Sequence, residues 1–364
     1  MKIRYILVYL AALTFAVFII YRSAHHDYYN AVTVTGATPK ALSRQVPSGF
    51  GLSVEGMTKK TYRFSHSALR AFATTRIRTK EISPGGNFLG TYMYSGIPVF
   101  NILEGVAPEI PSYTGMDTPT DFLVTFVSRS GKRVFFSYGE LVMTGDNLPV
   151  TLAYHCSQLL PTKDPDKYTY NLNKDELKGL RLIAPKEPDT SRYLDDVESI
   201  ILSVPEVSGI VLPKRKKKCR CVSDNITVAE RSLKHEAVFT DVGRSQIEQW
   251  TRVGHGTGYK GTKKVSGYRL APFLETNFAD IKPDDFFLFV SCDGYRCLFS
   301  AREIFSTTDG KSMVIIDDMD GKRPSGGNML ACLEDYFIDR SIWGVSYVVR
   351  LIIDGDPLTD QEQR

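Results

Sequence analysis

A stretch rich in glycine and lysine, residues 254–264, combines the residue types best suited to binding an anionic ligand. Its sequence is G-H-G-T-G-Y-K-G-T-K-K. Glycines leave backbone N–H groups accessible and lysines add positive charge, so this loop could hold a phosphate or another anion. The spacing does not match the P-loop, because no Gly-Lys-Ser/Thr sequence occurs at the required distance. A flexible surface loop is the structural alternative.

Two arginines, Arg133 and Arg296, occupy equivalent positions in a segment that occurs twice. An arginine can bind an oxyanion with two parallel hydrogen bonds. Alternatively, each could pair with Glu140 or Glu303 and fasten a hairpin to its helix, and recurrence in both copies favours this structural role. The predicted cofactor-binding residues are His255, Gly256, Gly258, Lys260, Lys263 and Arg296. No catalytic residue and no metal ligand is predicted.

The repeated segment covers Val127–Glu140 and Val290–Glu303. The two copies share V-S-x-x-G-x-R-x-x-F-S-x-x-E, with seven identities in fourteen positions. Such agreement within one chain indicates a duplicated structural unit rather than chance.

Each copy has the pattern of a β-hairpin that leads into a helix. Asp293-Gly294 lies between two apolar runs, which predicts a two-residue type I′ turn. Ser300 precedes Glu303 by three residues, and Ser137 precedes Glu140 by three, which predicts a capping box in each copy. One strand–turn–strand–helix unit is therefore expected twice.

The duplication extends beyond this unit, because Ser95–Glu104 matches Ser266–Glu275 and Arg192 matches Arg340. Short strands mixed with short helices, such as a helix at Arg244–Trp250, predict an α+β fold. The predicted organisation is an anchor at 1–24, a tether at 25–50, domains at 51–206 and 226–356, a basic linker at 207–225 and a tail at 357–364.

The composition sets limits on size and partners. A chain of 364 residues with 43% apolar content can form two medium-sized cores. A formal charge of +4 is too small to indicate a nucleic-acid partner. The one dense basic run, Lys214–Lys218, is interpreted as a solvated linker, with attraction to anionic lipid as the alternative.

The N-terminus has the features of a membrane anchor. The uncharged apolar run Tyr5–Tyr21 follows Lys2 and Arg4. As a helix it would be about 25 Å long, the short end of a membrane span. The preceding basic residues predict a cytoplasmic N-terminus and an extracytoplasmic remainder, in the periplasm or at the cell surface. A cleaved signal peptide is the alternative.

Six cysteines do not form a recognisable disulfide framework. Cys219 and Cys221 are too close in sequence for an ordinary bridge to each other. Cys292 and Cys297 would lie diagonally across one hairpin at about 7 Å, which is marginal for a disulfide. Free thiols, or thiols in the linker, are therefore predicted.

The order of several motifs resembles the oxidoreductase molybdopterin-binding domain of the sulfite oxidase type. The matching segments are Tyr94–Leu103 with its Y-x-G-I-P core, the V-S-x-D-G-Y sequence Val290–Tyr295, Gly179–Pro185 and Ser191–Ile200. The similarity covers most of 51–204 and, more loosely, 226–353. It implies two tandem domains of this type and, in active enzymes, a molybdenum–pterin cofactor that oxidises or reduces small oxo-compounds.

The chain departs from that family at the cysteine whose thiolate binds molybdenum. The corresponding intervals, Thr74–Ser95 and Thr251–Ser266, contain no cysteine, and the nearest candidates, Cys156 and Cys292, belong to other elements. A soft metal without its thiolate loses its strongest protein ligand. No cofactor is therefore predicted, with molybdopterin as the alternative.

Three functional hypotheses follow. The favoured one is a membrane-anchored, extracytoplasmic, non-catalytic protein that binds a ligand or a partner. The second is a molybdenum–pterin oxidoreductase with an atypical ligand such as His255. The third is a structural partner of a membrane electron-transfer complex. No nucleic-acid partner is expected.

Overall fold

Four β-sheets dominate the protein. The computed structural model describes residues 51–145, 148–159, 175–207, 210–216, 221–230, 233–240 and 242–353. The first-half elements are β1 (Leu52–Gly56), β2 (Tyr62–Phe64), α1 (His66–Leu69), β3 (Thr75–Ile82), β4 (Phe88–Pro98), α2 (Val99–Val106), β5 (Leu123–Ser128), β6 (Arg133–Ser137), α3 (Tyr138–Val142), β7 (Thr151–Gln158), β8 (Asp175–Ile183) and β9 (Val197–Ser203).

The second half follows the same order with additional short elements, except that none of its described residues forms a helix corresponding to α1. They are β10 (Thr227–Glu230), β11 (Leu233–Glu236), β12 (Glu248–Gly254), β13 (Gly258–Arg269), α4 (Leu270–Asn277), β14 (Asp285–Ser291), β15 (Arg296–Ser300), α5 (Ala301–Ser306), a 3-10 turn (Gly310–Ser312), β16 (Met313–Met319), β17 (Met329–Cys332), a second 3-10 turn (Ile338–Arg340), β18 (Ile342–Trp343) and β19 (Val345–Ile352).

The two halves are built on one plan. The sheet order β2-β1-β9-β5-β6 in the first half matches β11-β10-β19-β14-β15 in the second. In both sheets the second and third strands are parallel and the other pairs antiparallel. The remaining sheets, β3-β4-β7-β8 and β12-β13-β16-β17-β18, also agree in order. The sequence repeat is therefore a repeat of structure, while the predicted domain boundaries stay predictions.

The predicted α+β class is wrong. The chain is mainly β, with 47% strand and 13% helix, and its four sheets have a propeller-like arrangement. The predicted helix at Arg244–Trp250 shows the reason: residues from Glu248 onward form β12, which pairs with β13 and buries Trp250. Local periodicity over seven residues cannot distinguish these outcomes, and pairing with a neighbouring strand decides them.

The hairpin turns are longer than predicted. The backbone N–H of Ser291 bonds to Tyr295 O, which leaves a three-residue loop, and in the first copy Ser128 bonds to Lys132 in the same way. Gly294 has a φ of +86° in this loop. A three-residue loop ends in a left-handed residue, which glycine adopts without steric cost.

The prediction of free thiols is wrong for Cys292 and for Cys221, because a disulfide joins the two. In the three-residue loop Cys292 does not face Cys297 across the ladder. Its partner lies 71 residues away in sequence, which local spacing could not indicate. Cys297 and Cys332 are buried thiols.

The predicted membrane anchor, and the extracytoplasmic localisation based on it, find no support in the described residues. In the described part of the chain, no helix has the length and apolar character needed to cross a bilayer. The segments predicted as anchor, tether and tail lie outside the described residues.

Equivalent aromatic pairs lie at the centre of the two halves. Phe126 and Phe136 pack edge to face with ring centres 5.6 Å apart, and Phe289 and Phe299 do the same at 5.6 Å. All four rings are fully buried. They form apolar platforms directly beneath the charged groups described next.

Candidate functional site: a buried charge network between the two halves

Two glutamates at the beginning of short helices are the starting point of the site. Before α3, Ser137 Oγ accepts a hydrogen bond from the Glu140 N–H at 3.1 Å, and Glu140 Oε1 accepts one from the Ser137 N–H at 2.7 Å. Before α5, Ser300 Oγ accepts from the Glu303 N–H at 3.0 Å. The predicted capping box is confirmed in the first copy, whereas in the second copy only the serine cap forms, because the Glu303 carboxylate is bonded to Arg340.

Arg192 connects Glu140 to a second carboxylate, Glu187. Its terminal nitrogens donate to the two oxygens of Glu140, each at 3.0 Å, and its Nε donates to Glu187 Oε1 at 2.9 Å. The guanidinium lies 3.9 Å from the ring centre of Phe136. Bidentate pairing and ring stacking together fix the position of this buried cation.

Arg340 repeats this arrangement in the second half. Its Nε and Nη2 donate to Asp335 at 2.8 and 2.6 Å, and its Nη1 donates to Glu303 Oε1. Its guanidinium lies 5.2 Å from the ring centre of Phe299, the equivalent of Phe136. Arg340 is completely buried, so its charge depends on these carboxylates for compensation.

Sequence comparison had matched the two arginines but missed the acids. Glu187 precedes Arg192 by five residues, and Asp335 precedes Arg340 by five. This repeated spacing was available in the sequence. It could have identified both triads, each made of one arginine and two acids: Glu140, Glu187 and Arg192 in the first half, and Glu303, Asp335 and Arg340 in the second.

The predicted pairing of Arg296 with Glu303 is wrong. Arg296 Nε donates instead to Asp121 Oδ2 at 2.6 Å, across the boundary between the halves. Four residues of β15 separate Arg296 from α5, which at about 3.3 Å per residue is too far for the side chain to reach Glu303. Arg133 begins β6 at the equivalent position.

The two triads meet where the halves pack together. Ser300 Oγ donates to Glu140 Oε2 at 3.0 Å, so the cap of one copy bonds to the carboxylate of the other. The side chain of Arg340 lies against Gly139, and a Cβ atom at position 139 would collide with it. Small and polar residues at these positions therefore allow the two charged centres to approach closely.

We call the resulting cluster the central network. It comprises Glu140, Glu187, Arg192, Arg302, Glu303, Asp335 and Arg340. Arg302 Nη1 lies 3.6 Å from Glu187 Oε2. Four carboxylates against three guanidinium groups leave one excess negative charge when all are ionised, and an uncompensated buried charge is costly.

Glu303 carries that excess. Glu303 is 2% exposed, and its Oε2 has no hydrogen-bond partner among the described residues; Glu187 Oε2 also has none, but it lies 3.6 Å from Arg302 Nη1. Burial, together with the negative charge of Glu140, raises the pKa of Glu303 to about 7, although Arg340 opposes the shift. Burial also raises the pKa of Asp335. The network therefore stores a proton near neutral pH.

Glu303 lines a cavity of about 270 Å³, which we call the central cavity. Glu140, Glu187 and Arg192 also line it. Its remaining walls are largely apolar and aromatic, including Phe100, Phe136, Leu141, Leu148, Val150, Tyr336 and Phe337. A concave apolar site with a few converging polar groups is the usual form of a small-molecule site.

The residues predicted to bind a cofactor lie elsewhere and do not converge. Gly256 and Gly258 belong to the tip of the β12–β13 hairpin and have φ values of +66° and +75°. Lys263 pairs with Asp320 at 2.8 Å, and Lys260 is exposed. Arg296 is bound to Asp121.

His255 is the exception, because it lines a second cavity of about 280 Å³. Its ring stacks on Phe337 with centres 4.9 Å apart. Arg215, from the basic run predicted as a solvated linker, also lines this cavity and pairs with Asp293. The Phe337 segment separates the second cavity from the central cavity.

The cysteines do not fit a molybdenum–thiolate centre. The intervals Thr74–Ser95 and Thr251–Ser266 form the β3–β4 and β12–β13 hairpins. Burial raises the pKa of the Cys297 and Cys332 thiols, which disfavours the thiolate that would bind the metal. Cys292 is held in the disulfide. Within the described residues, no three His, Cys, Asp or Glu side chains are arranged to hold a metal ion.

Comparison with known proteins adds little. No family model matches the chain, and no curated protein matches it. Among solved structures, it is similar to the sulfane dehydrogenase SoxCD from Paracoccus pantotrophus, with 13% identity and a TM-score of 0.31 over 84% of this chain and 78% of that one. A TM-score of this size does not establish a common fold.

Proposed function

We propose that this protein is a non-catalytic ligand-binding protein and that its ligand occupies the central cavity. The observation that carries the proposal is Glu303, a buried carboxyl on the cavity wall with one oxygen that no described residue satisfies. Buried polar groups are normally hydrogen-bonded, and an exception at a cavity indicates a ligand that supplies the missing partner.

The rigidity of the surrounding network supports binding rather than catalysis. Glu140 accepts bonds from Ser137, Ser300 and both terminal nitrogens of Arg192, so its lone pairs are already used. A group held in this way suits a fixed recognition surface, whereas a catalytic base must be free to accept a proton.

The test is a thermal-shift screen with a fragment panel that contains equal numbers of cations, neutral molecules and anions. The screen compares the wild type with Glu303→Gln and with Asp285→Asn. Asp285 is a matched control, because it is 2% exposed and bonds to Arg350 at 2.9 and 2.6 Å but does not line the central cavity.

We expect fragments that raise the melting temperature of the wild type and of Asp285→Asn but not of Glu303→Gln. Mass spectrometry should recover the bound fragments chemically unchanged. If every fragment acts equally on the wild type and on Glu303→Gln, a ligand that supplies the missing partner of Glu303 is excluded, and if no fragment acts on the wild type, ligand binding at this site is excluded.

General acid–base catalysis by Glu303 is a second candidate, favoured by its pKa of about 7. A carboxyl that titrates near the working pH can both give and take a proton. The same screen distinguishes the two functions, because fragments converted by the wild type and left intact by Glu303→Gln would indicate an enzyme.

A further inference from the structure

We infer that the ligand of the central cavity is a small organic cation, with an ammonium group beside Glu303 and an apolar body between aromatic rings. This inference rests on the proposed function and specifies the chemistry of its ligand. Three features of the cavity support it: its charge, the nature of its walls and its size.

The charge of the cavity favours a cation. The central network carries one excess negative charge when its acids are ionised, and a further carboxylate, Glu104, lines the cavity. The lining cations are already paired, Arg192 with Glu140 and Lys186 with Asp309. A cationic ligand would compensate the excess charge, whereas an anion would increase it.

The walls provide a surface for the rest of such a ligand. Phe100, Phe136 and Phe337 line the cavity beside aliphatic side chains. Phe136 is fully buried and already stacks on the Arg192 guanidinium, so the rings of Phe100 and Phe337 are the ones left to contact the ligand. Aromatic faces attract cations through their quadrupole, and this attraction increases in a desolvated site.

The size of the cavity limits the ligand. About 270 Å³ lies just below the range of about 300–1,000 Å³ that is typical of ligand pockets. Exposed residues, Leu148 at 41% and Tyr336 at 60%, line part of the cavity and place its opening at the surface. A primary amine with one aromatic ring or a short alkyl chain fits these dimensions.

Binding of a cation should replace the proton of Glu303. The charged groups that act on this carboxyl are Arg340 from the second 3-10 turn, Asp335 from the segment that precedes this turn and Glu140 from α3, with the buried Cys332 thiol nearby on β17. Because burial raises the pKa of Glu303 to about 7, the carboxyl is mostly neutral at pH 6. An ammonium ion lowers that pKa, so binding at pH 6 releases a proton.

The experiment is isothermal titration calorimetry of the full chain with three probes of similar shape: benzylamine, benzyl alcohol and benzoate. Titrations at pH 6 and pH 8, in buffers of different ionisation enthalpy, give both affinity and protons released. We expect benzylamine to bind about tenfold more tightly at pH 8 than at pH 6, as linkage to one group titrating near pH 7 requires. About one proton per bound benzylamine should be released at pH 6, and far less than one at pH 8.

Three variants keep this test independent of folding. Glu303→Gln should abolish both the pH dependence and the proton release. Glu104→Gln, a substitution at an exposed residue that lines the cavity, should preserve folding and weaken benzylamine a few-fold at low salt, because one attractive charge is lost. Asp285→Asn should bind as the wild type does.

The outcomes separate the inference from the proposed function. Binding of benzyl alcohol or benzoate at the cavity without benzylamine would overturn the cationic ligand and leave ligand binding intact. Binding of benzylamine without proton release at pH 6, or equally by Glu303→Gln, would overturn the role of Glu303. No binding of any probe, together with no hit in the fragment screen, would overturn both.

Discussion

Glu140 and Glu303 begin equivalent helices in the two copies, yet their carboxylates have different surroundings. Glu140 closes a capping box, binds Arg192 with both oxygens and accepts a further bond from Ser300 of the other copy. Glu303 binds Arg340 through Oε1, and its Oε2 is unsatisfied among the described residues. The glutamate of the same sequence motif thus has hydrogen bonds to both oxygens in one copy and to only one oxygen in the other.

This difference shows how a duplicated unit can acquire a binding group. When two copies of one motif face each other, the pair need not be symmetric, and one copy can use hydrogen-bond donors that the other then lacks. Here the Ser300 hydroxyl is directed at Glu140. The carboxyl left with an unused oxygen lies on the wall of the central cavity.

The largest effect is expected from removing either buried guanidinium. Arg192→Met and Arg340→Met each leave two buried carboxylates uncompensated, which should lower the free energy of unfolding by about 3–5 kcal/mol at pH 8. The loss in Arg340→Met should be smaller at pH 5, because Glu303 then takes a proton. Urea unfolding at both pH values measures this; equal losses for Arg340→Met at the two pH values would contradict the assignment.

The disulfide distinguishes the two hairpins, because the position of Cys292 is occupied by Arg129 in the first copy. Cys292→Ser removes a bridge that closes a loop of 71 residues and should destabilise by about 4 kcal/mol on a chain-entropy estimate. The control Arg129→Ser removes an exposed ion pair and should change stability by less than about 1 kcal/mol. Thermal unfolding of both variants tests this. A loss of stability in Cys292→Ser as small as that in Arg129→Ser would show that the bridge contributes little.

The two glutamates should respond differently to amide substitution. The folded state raises the pKa of Glu303 from 4.5 to about 7, so it binds more protons than the unfolded chain between these values. Wild-type stability contributed by this group is therefore present below about pH 4.5 and lost as the pH rises to 7. Glu303→Gln lacks this loss. Between pH 4 and pH 8 its free energy of unfolding should therefore rise by on the order of 3 kcal/mol relative to that of the wild type.

Glu140→Gln should instead be destabilised by about 2 kcal/mol at pH 4 and at pH 8, because charge-assisted bonds to Arg192 are lost. Parallel urea titrations at pH 4, 6 and 8 give the comparison. A Glu303→Gln profile parallel to that of the wild type would show that Glu303 has an ordinary acidity.

The smallest difference is expected between the capping serines. Ser137→Ala and Ser300→Ala each remove a helix cap, which typically costs about 1 kcal/mol. Ser300→Ala also removes the bond to Glu140 and should cost about 1 kcal/mol more. Equal losses in chemical unfolding would mean that the contact between the copies is energetically neutral.

Local patterns predicted the local structure well. The Ser137/Glu140 and Ser300/Glu303 spacings predicted two capped helices after hairpins, and both are present. The helix expected at Arg244–Trp250 failed, because pairing of β12 with β13 outweighs a short helical pattern.

The candidate site was largely hidden from sequence analysis. Glu303 was identified only as a cap and as an alternative partner of Arg296, and the prediction placed the ligand at the β12–β13 hairpin instead. The site depends on contacts such as Ser300 with Glu140, 160 residues apart, and on which oxygen these contacts leave unsatisfied. Such information belongs to the packing of the two copies and not to either copy alone.

The most direct test of the central claim is a ¹³C NMR titration of the glutamate side-chain carboxyls, with Glu303 assigned through its absence in Glu303→Gln. A buried, charge-crowded Glu303 should titrate with a midpoint near pH 7. Addition of benzylamine should move this midpoint to lower pH. A midpoint near the ordinary value of 4.5, unchanged by the amine, would contradict the account.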